Sequence, residues 1–332
     1  MATFRDIAKL ANVSVATVSR AFSRKNYVSE DTRQIVYDAA KKLNYNPNPS
    51  SRNQKRGFLR VVGLIIPRIS NPFYIQLARY LEKAFRANGY QLIIRFLSEN
   101  ISHEDENAAL KMMLDMRACG VIFSPHNSDH QEIVQKLLDH DICVLQLLTK
   151  AYENTDAIVM DDNYGMYIGT RHLLDVGHEK ILFAGNRERL DGVYRAYGES
   201  QIKCPEELIY TYGRRESLAD ATSRIKNMIQ SHHPTAVFAV TDFIGVAVFN
   251  ALKALSIRFP EDVSFLMYDD QTWTSMLDIS VITHPMETIA DLAVHRIINS
   301  ITSNAPSPPV TSSVQPYLLL RSSIQPLQKS SL

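Results

Sequence analysis

A chain of 332 residues, 45% hydrophobic and 21% charged, has the balance of a soluble globular protein with two or three domains. No apolar run reaches the length of a membrane span, and MATFRDIAKL lacks the apolar core of a secretion signal, so a cytoplasmic protein with no membrane partner is expected. Three cysteines, Cys119, Cys143 and Cys204, are odd in number and far apart, which argues against a disulfide framework and for thiols in a reducing compartment. The net charge of +1 conceals an asymmetry. Residues 1–60 hold 12 Lys/Arg against 4 Asp/Glu, net +8, and the remainder holds 24 against 31, net −7. A basic head on a mildly acidic body is the footprint of a nucleic-acid-binding module joined to something else.

The head opens with TFRDIAKLANVSVATVSRAFS, residues 3–23. Phe4, Ile7, Ala8 and Ala11 recur at helical spacing, with Thr3 as a cap and Asp6 at the positive end of the dipole. Asn12-Val13 breaks the period, and Ser14 caps a second helix from Val15 to about Ala21. Val18, Ala21 and Phe22 would face inward, leaving Val15, Ala16, Ser19 and Arg20 outward. Small residues at Ala8 and Ala11 let two helices cross closely, as a helix-turn-helix requires. A third helix follows, capped by Ser29, with Ile35, Val36, Ala39, Ala40 and Leu43 as its apolar stripe. Residues 1–45 thus form a three-helix headpiece. Residues 46–60, NPNPSSRNQKRGFLR, read as a basic linker that would touch phosphates.

From Val61 strands and helices alternate. Strands are expected at 61–67, 90–97, 120–125, 142–148, 156–162, 180–185, 208–212, 236–240 and 263–270, a connecting strand at 279–285 and a last strand at 313–321. Helices fall between them, one of them at 286–303. Repeated βα units imply parallel sheets with helices on both faces, and there are too many units for one sheet. The reading is an α/β body, 61–325, of two similar subdomains with a cleft between them. The first takes about 61–159 and 286–312, the second about 160–285 and 313–325.

In open α/β sheets a ligand sits beyond the carboxyl ends of the strands. There the chain places Arg68, Ser70, Asn71, Phe73 and Tyr74, then Asp161, Asp162 and Asn163, then Asn186, Arg187 and Arg189, then Thr241 and Asp242, then Asp269 and Asp270. Aromatic faces with carboxylates and arginines suit a small polar ligand with many hydroxyls. Loop carboxylates also cap helices, and Asp242 is expected to cap the next one. No phosphate loop, GxSxG elbow or HExxH pattern is present, and His126 and His130, at i and i+4, fall beside Pro125 and Asn127 rather than on a metal-binding helix. Neither an enzyme nor a cofactor is expected.

The chain resembles the LacI/GalR family of bacterial transcription regulators from end to end. DIAKLANVSVATVSRAF, GLIIPRISNPFY, GHEKILFAG, VFAVTDFIGVAVFNALKAL and FPEDVSFLMYDD occur in family order. The resemblance implies a homodimer on a pseudo-palindromic double-stranded operator, with a periplasmic-binding-protein-like body that senses a small effector, commonly a sugar. It also implies that Val15 and Ala16 read base edges and that Arg20 makes a further base or phosphate contact. Thr3, Ser14, Thr17, Ser19, Tyr27, Ser29, Thr32 and Lys55 would make phosphate or supporting contacts. In the body it implies effector contacts from Phe73, Tyr74, Asp161, Arg189, Arg215, Thr241 and Asp269, with Arg195 the alternative arginine under a different register. At the hinge, Ser51 and Gln54 replace the family's Ala and wedging Leu; a Gln hydrogen-bonds in the minor groove but is a poor wedge. Arg187, Arg189, Arg214 and Arg215 suit an anionic effector such as a sugar phosphate or sugar acid; the competing reading is solvated charges paired with Glu188 and Asp191. The C-terminus has no leucine heptads, so a dimer is expected. The mechanism implied is linkage between cleft, hinge and operator affinity. The alternatives are a cytoplasmic solute-binding or sugar-modifying protein without specific DNA readout.

Overall fold

The computed structural model describes residues 4–21, 28–43, 60–98, 102–185, 187–213, 216–303 and 308–327, without the side chains of Ser19, Lys41 and Glu188. The chain divides into two compact units, 1–59 and 60–332.

In the first unit, α1 (Phe4–Leu10), α2 (Val15–Ala21) and α3 (Glu30–Lys42) enclose a core of Ile7, Ala8, Ala11, Val18, Ala21, Val36, Ala39 and Ala40. The turn between α1 and α2 closes through Asn12 at φ 50°, a left-handed conformation that Asn tolerates better than most residues. The same cap is used twice. Ser14 Oγ accepts from the Thr17 amide at 3.0 Å, and Ser29 Oγ accepts from the Thr32 amide at 3.4 Å. Ile35 is not part of the apolar stripe: it is 52% exposed, because Val36, one residue on, already occupies the inward face with Ala39 and Ala40.

The second unit holds two six-stranded sheets. The first contains β1 (Val61–Ile66), β2 (Gln91–Phe96), β3 (Gly120–Phe123), β4 (Cys143–Leu148), β5 (Asp156–Met160) and β11 (Thr311–Val314), in the order β11-β5-β4-β3-β1-β2, all parallel. The second contains β6 (Ile181–Gly185), β7 (Ile209–Thr211), β8 (Ala236–Ala239), β9 (Ser264–Tyr268), β10 (Ser280–Thr283) and β12 (Tyr317–Leu319), in the order β12-β10-β9-β8-β6-β7. Its strands are parallel except β12, which pairs antiparallel with β10. The single strand expected at 313–321 is therefore two strands in two sheets. Gln315-Pro316 separates them, and a proline that cannot donate to a ladder suits that break. Segment 279–285 is no mere connection: Ser280–Thr283 is an integral strand beside β9.

Helices cover both sheets. On the first lie α4 (Pro72–Ala87), α5 (His103–Asp115), α6 (Gln131–Asp139) and α12 (Met286–Thr302); His126 and His130 precede α6 in its loop. On the second lie α7 (Asp162–Asp175), α8 (Leu190–Glu199), α9 (Leu218–His232), α10 (Asp242–Ala254) and the short α11 (Thr272–Met276). The chain passes between the sheets three times, at Asp161, at His284-Pro285 and at Gln315-Pro316. Strand order reverses between β1 and β3 in one sheet and between β6 and β8 in the other, the places where such sheets bind ligands.

Helices α7 and α8 pack at backbone distance, and Gly192 makes this possible. A Cβ there would collide with the Asn163 carbonyl oxygen and lie 2.7 Å from the Tyr167 amide nitrogen. Gly192→Ala is expected to destabilise the body by about 2 kcal/mol through overpacking, read as a lower midpoint in urea unfolding, with Gly198→Ala, where a Cβ meets open space, as the near-neutral control.

Candidate functional site

The headpiece exposes one face of α2. Val15 is 45% exposed, Ala16 and Arg20 are exposed, and Val18 and Ala21 are buried. Arg20 Nε donates to the Ala16 carbonyl at 3.3 Å, which lays its stem along the helix. The hydroxyls of Ser14 and Thr17, 2.8 Å apart, and of Ser29 and Thr32, also 2.8 Å apart, are each committed first to a helix start. Thr3, Phe22, Tyr27, Ser51, Gln54, Lys55, Asn186, Arg214, Arg215 and the Ser19 and Glu188 side chains lie outside the described residues.

The body's cleft forms where β1 and β6 end. Asn71 accepts from the Phe73 amide at 3.0 Å and, with Pro72 at the first turn, starts α4 so that Phe73 and Tyr74 follow β1 directly. Phe73 is buried and meets the Tyr74 ring edge-on at 5.4 Å and the His284 ring at 5.6 Å. Opposite them stands Arg189, which ends a 3₁₀ turn (Arg187–Arg189) after β6. Its Nη2 pairs with Asp162 Oδ2 at 2.8 Å, its Nη1 donates to the Val240 carbonyl at 3.3 Å, and its guanidinium lies 4.8 Å from the Tyr268 ring centroid. The Tyr268 hydroxyl donates to Asp162 Oδ1 at 3.0 Å. His284 Nε2 stands between two carboxylates, 3.8 Å from Asp162 and 3.9 Å from Asp269. Asp269 follows β9 at φ 71°, and its amide donates to the Ile282 carbonyl at 2.8 Å, so a left-handed residue held by the next strand aims this carboxylate.

Of the residues expected at the cleft, Phe73, Tyr74, Arg189 and Asp269 are brought together. Arg195 is not among them: it is exposed, pairs with Glu199 at 2.9 Å and lies over Tyr167. Asp161 is spent as the cap of α7, accepting from the Tyr164 amide at 2.9 Å, and the neighbouring Asp162 enters the cleft instead. Thr241 caps α10, accepting from the Ile244 amide at 3.3 Å, so the cap expected from Asp242 belongs to the preceding residue. Asp242 accepts from the Trp273 indole at 2.9 Å. Sequence reasoning did not select Tyr268 or His284. The signal for His284 was its place at the end of an apolar strand, the same signal that marked Asp269.

Burial raises the Asp269 carboxyl to about 7; Arg189 opposes this, and Asp162 and Asp242 add to it. Burial lowers His284 to about 4, with Asp162 pulling the other way. Burial also raises Tyr74 and Tyr268. At Arg189 burial disfavours the charge, but Asp162, Tyr268 and Asp269 outweigh it and keep the guanidinium protonated. The cleft floor is therefore one cation against two carboxylates, one of them near its titration point, with a neutral imidazole between them.

The model of bacterial regulatory proteins of the lacI family matches residues 3–48, and that of a periplasmic binding protein-like domain matches residues 170–324. The ribose operon repressor of Haemophilus influenzae is 29% identical over 339 aligned residues, covering 99% of this chain and 100% of its own. The HTH-type transcriptional repressor PurR of Escherichia coli is 29% identical, covering 98% and 97%. Among solved structures, a transcriptional regulator CelR–cellobiose complex superposes with a TM-score of 0.68 at 22% identity, covering 97% of this chain and 100% of that one. A lac repressor dimer bound to operator and the anti-inducer ONPF superposes with a TM-score of 0.67 at 21% identity, covering 98% and 99%.

The sign of the pH effect follows from the direction of each shift. Asp269, raised on folding, contributes stability that is lost as pH climbs from about 4 to about 7. His284, lowered on folding, contributes stability that is lost as pH falls from about 6.5 to about 4. Asp269→Asn keeps a neutral group at all pH values. It is expected to raise the melting temperature relative to the wild type at about pH 8 and to change it little at about pH 5. An equal effect at both values would mean that Asp269 is ionised throughout.

Proposed function

The chain belongs to the lacI family of bacterial regulatory proteins, and from that membership we propose a sequence-specific DNA-binding repressor whose operator affinity is set by a small sugar-type effector in the cleft of its body. The observation that carries this reading is the pairing, in one chain, of an exposed reading face on α2 with a cleft where aromatic rings meet Arg189 and Asp269. Val15 and Ala16 are small and apolar, so direct readout rests on thymine methyl contacts, with Arg20 supplying the hydrogen-bonded base or phosphate contact. The hydroxyls of Ser14 and Thr17 at the start of α2, and of Ser29 and Thr32 at the start of α3, serve backbone positioning, and the basic linker adds phosphate contacts.

The effector is a carbohydrate whose hydroxyls face Arg189 and Asp269 and whose ring stacks on Phe73 and Tyr74. Ribose is the first ligand to try, by analogy with the Haemophilus influenzae relative. Effector binding changes the cleft, and the change reaches the DNA contacts through the dimer and the linker 46–60. The coupling is of the usual order, about 1–3 kcal/mol. The protein works in the cytoplasm, where the DNA is.

A homodimer is proposed through the apolar edge of the second sheet. Met276 is 79% exposed at the end of α11, with exposed Leu277 beside it and Leu320 just past the edge strand β12. Arg321 Nη1 donates to the Ile279 carbonyl at 2.8 Å, which holds these two segments together. A two-fold contact through such a patch is self-complementary.

Selection from a random duplex library should enrich a palindrome, and Arg20→Ala should weaken binding to it by about tenfold or more, with a smaller salt dependence. Retention of DNA without an enriched sequence would overturn the specific-readout reading. Met276→Asp is expected to shift the protein from dimer to monomer in sedimentation equilibrium, with its circular dichroism spectrum unchanged. An unaltered dimer would place the contact elsewhere.

A further inference from the structure

The sequence offers four arginines to an anionic effector, but only Arg189 is placed in the cleft among the described residues. Arg187 is exposed, its charge felt by Tyr194. Arg189 is already paired with Asp162. Asp162 is itself held from two directions, by Arg189 Nη2 at 2.8 Å and by the Tyr268 hydroxyl at 3.0 Å, with the neutral His284 Nε2 3.8 Å away. Val240 occupies the guanidinium's other arm and the Tyr268 ring covers its face. Asp269 adds a second carboxylate beside His284.

We infer that Asp162 makes this cleft reject anionic ligands and admit an uncharged, hydroxyl-bearing one. The inference rests on the assignment of the cleft as the effector site. A phosphate or carboxylate that reached Arg189 would first have to displace Asp162 from a short charge-assisted bond. It would then lie against the Asp162 carboxylate and beside Asp269, with Arg189 the one guanidinium placed there among the described residues, in a partly buried place where like charges repel strongly. His284 brings no compensating charge, since burial keeps it neutral at physiological pH. Arg68, whose charge acts on Tyr74 from the other wall, is exposed and screened. A hydroxyl meets none of these obstacles. It donates to Asp162 or Asp269, accepts from Arg189 and leaves the ion pair intact. Specificity against anions thus comes from a repulsive element already built into the site.

The test needs neither DNA nor a sugar. Inorganic phosphate is titrated against the full chain at constant ionic strength, and the melting temperature of the body is followed, since a ligand that binds only the folded state raises it. In the wild type no phosphate-dependent shift that requires Arg189 is expected. In Asp162→Asn, with the guanidinium released, the melting temperature should climb with phosphate, corresponding to an affinity about tenfold or more above the wild type. Adding Arg189→Gln should abolish that climb, which separates the cleft from phosphate binding by the basic headpiece. If Asp162→Asn folds poorly, Asp162→Ser makes the same comparison with a smaller polar side chain. A wild-type shift that Arg189→Gln removes would overturn the inference, and so would a folded Asp162 variant that ignores phosphate. Either result leaves the DNA-binding reading standing, and a failed operator selection leaves this one standing.

Discussion

The ion pair between Arg189 and Asp162 is the contact on which the cleft depends. Arg189 arrives from the turn after β6 and Asp162 from the first turn of α7, so the pair forms only if α7 and α8 lie close together. Gly192 gives that proximity by letting α8 rest on the Asn163 backbone. Gly165 does the same one turn along α7, where a Cβ would run into the Tyr268 hydroxyl and approach Pro316 to 2.8 Å. With no side chain there, Tyr268 reaches over to donate to Asp162 while its ring lies under the Arg189 guanidinium. Backbone packing, an aromatic face and a salt bridge thus fix one another. An isolated exposed pair of the same charges would contribute about 1 kcal/mol or less. Here the packing holds both partners in place before any ligand arrives.

Much of this was legible in the chain, and the reasons differ by region. The headpiece is built from local signals, with Ser14 and Ser29 as caps and Val18 and Ala21 at helical spacing, and local signals survive folding unchanged. Ile35 misled because a stripe of five apolar residues is wider than a short helix against two others can bury. The body strands announced themselves as continuous apolar runs, the mark of a doubly covered parallel sheet. The last strand did not, because its two halves are joined by two residues and serve different sheets, and only Pro316 marked the break.

At the cleft, the carboxyl ends of the strands pointed to the right loops but not always to the right atoms. Asp161 and Asp162 are adjacent and chemically identical. Which caps α7 and which meets Arg189 depends on where the helix begins, a boundary that propensity does not resolve to one residue. Thr241 and Asp242 present the same ambiguity with the same outcome, the first residue capping and the second, a carboxylate, reaching across to Trp273. His284 carried no motif. Its role arises because β10 ends where β9 ends, which places the imidazole between two carboxylates distant in sequence.

The positions of these residues bear on how a ligand could be felt elsewhere in the body. Asp162 follows the first crossing between the sheets, His284 opens the second, and Pro316, at the third, touches Gly165 on α7. Two members of the polar cluster, Asp162 and His284, thus stand on segments that join the two sheets. A ligand bridging Phe73 and Tyr74 on one wall to Arg189 and Asp269 on the other, as proposed, would lie against those joining segments, and its binding energy would depend on the separation of the walls. Such a dependence is all that coupling requires, because a ligand biases a conformational equilibrium only by the difference in its affinity for the two states. On the proposed assignment no chain of intermediaries is needed inside the body, since Asp162 and His284 lie both at the proposed ligand site and on the segments that join its two sheets.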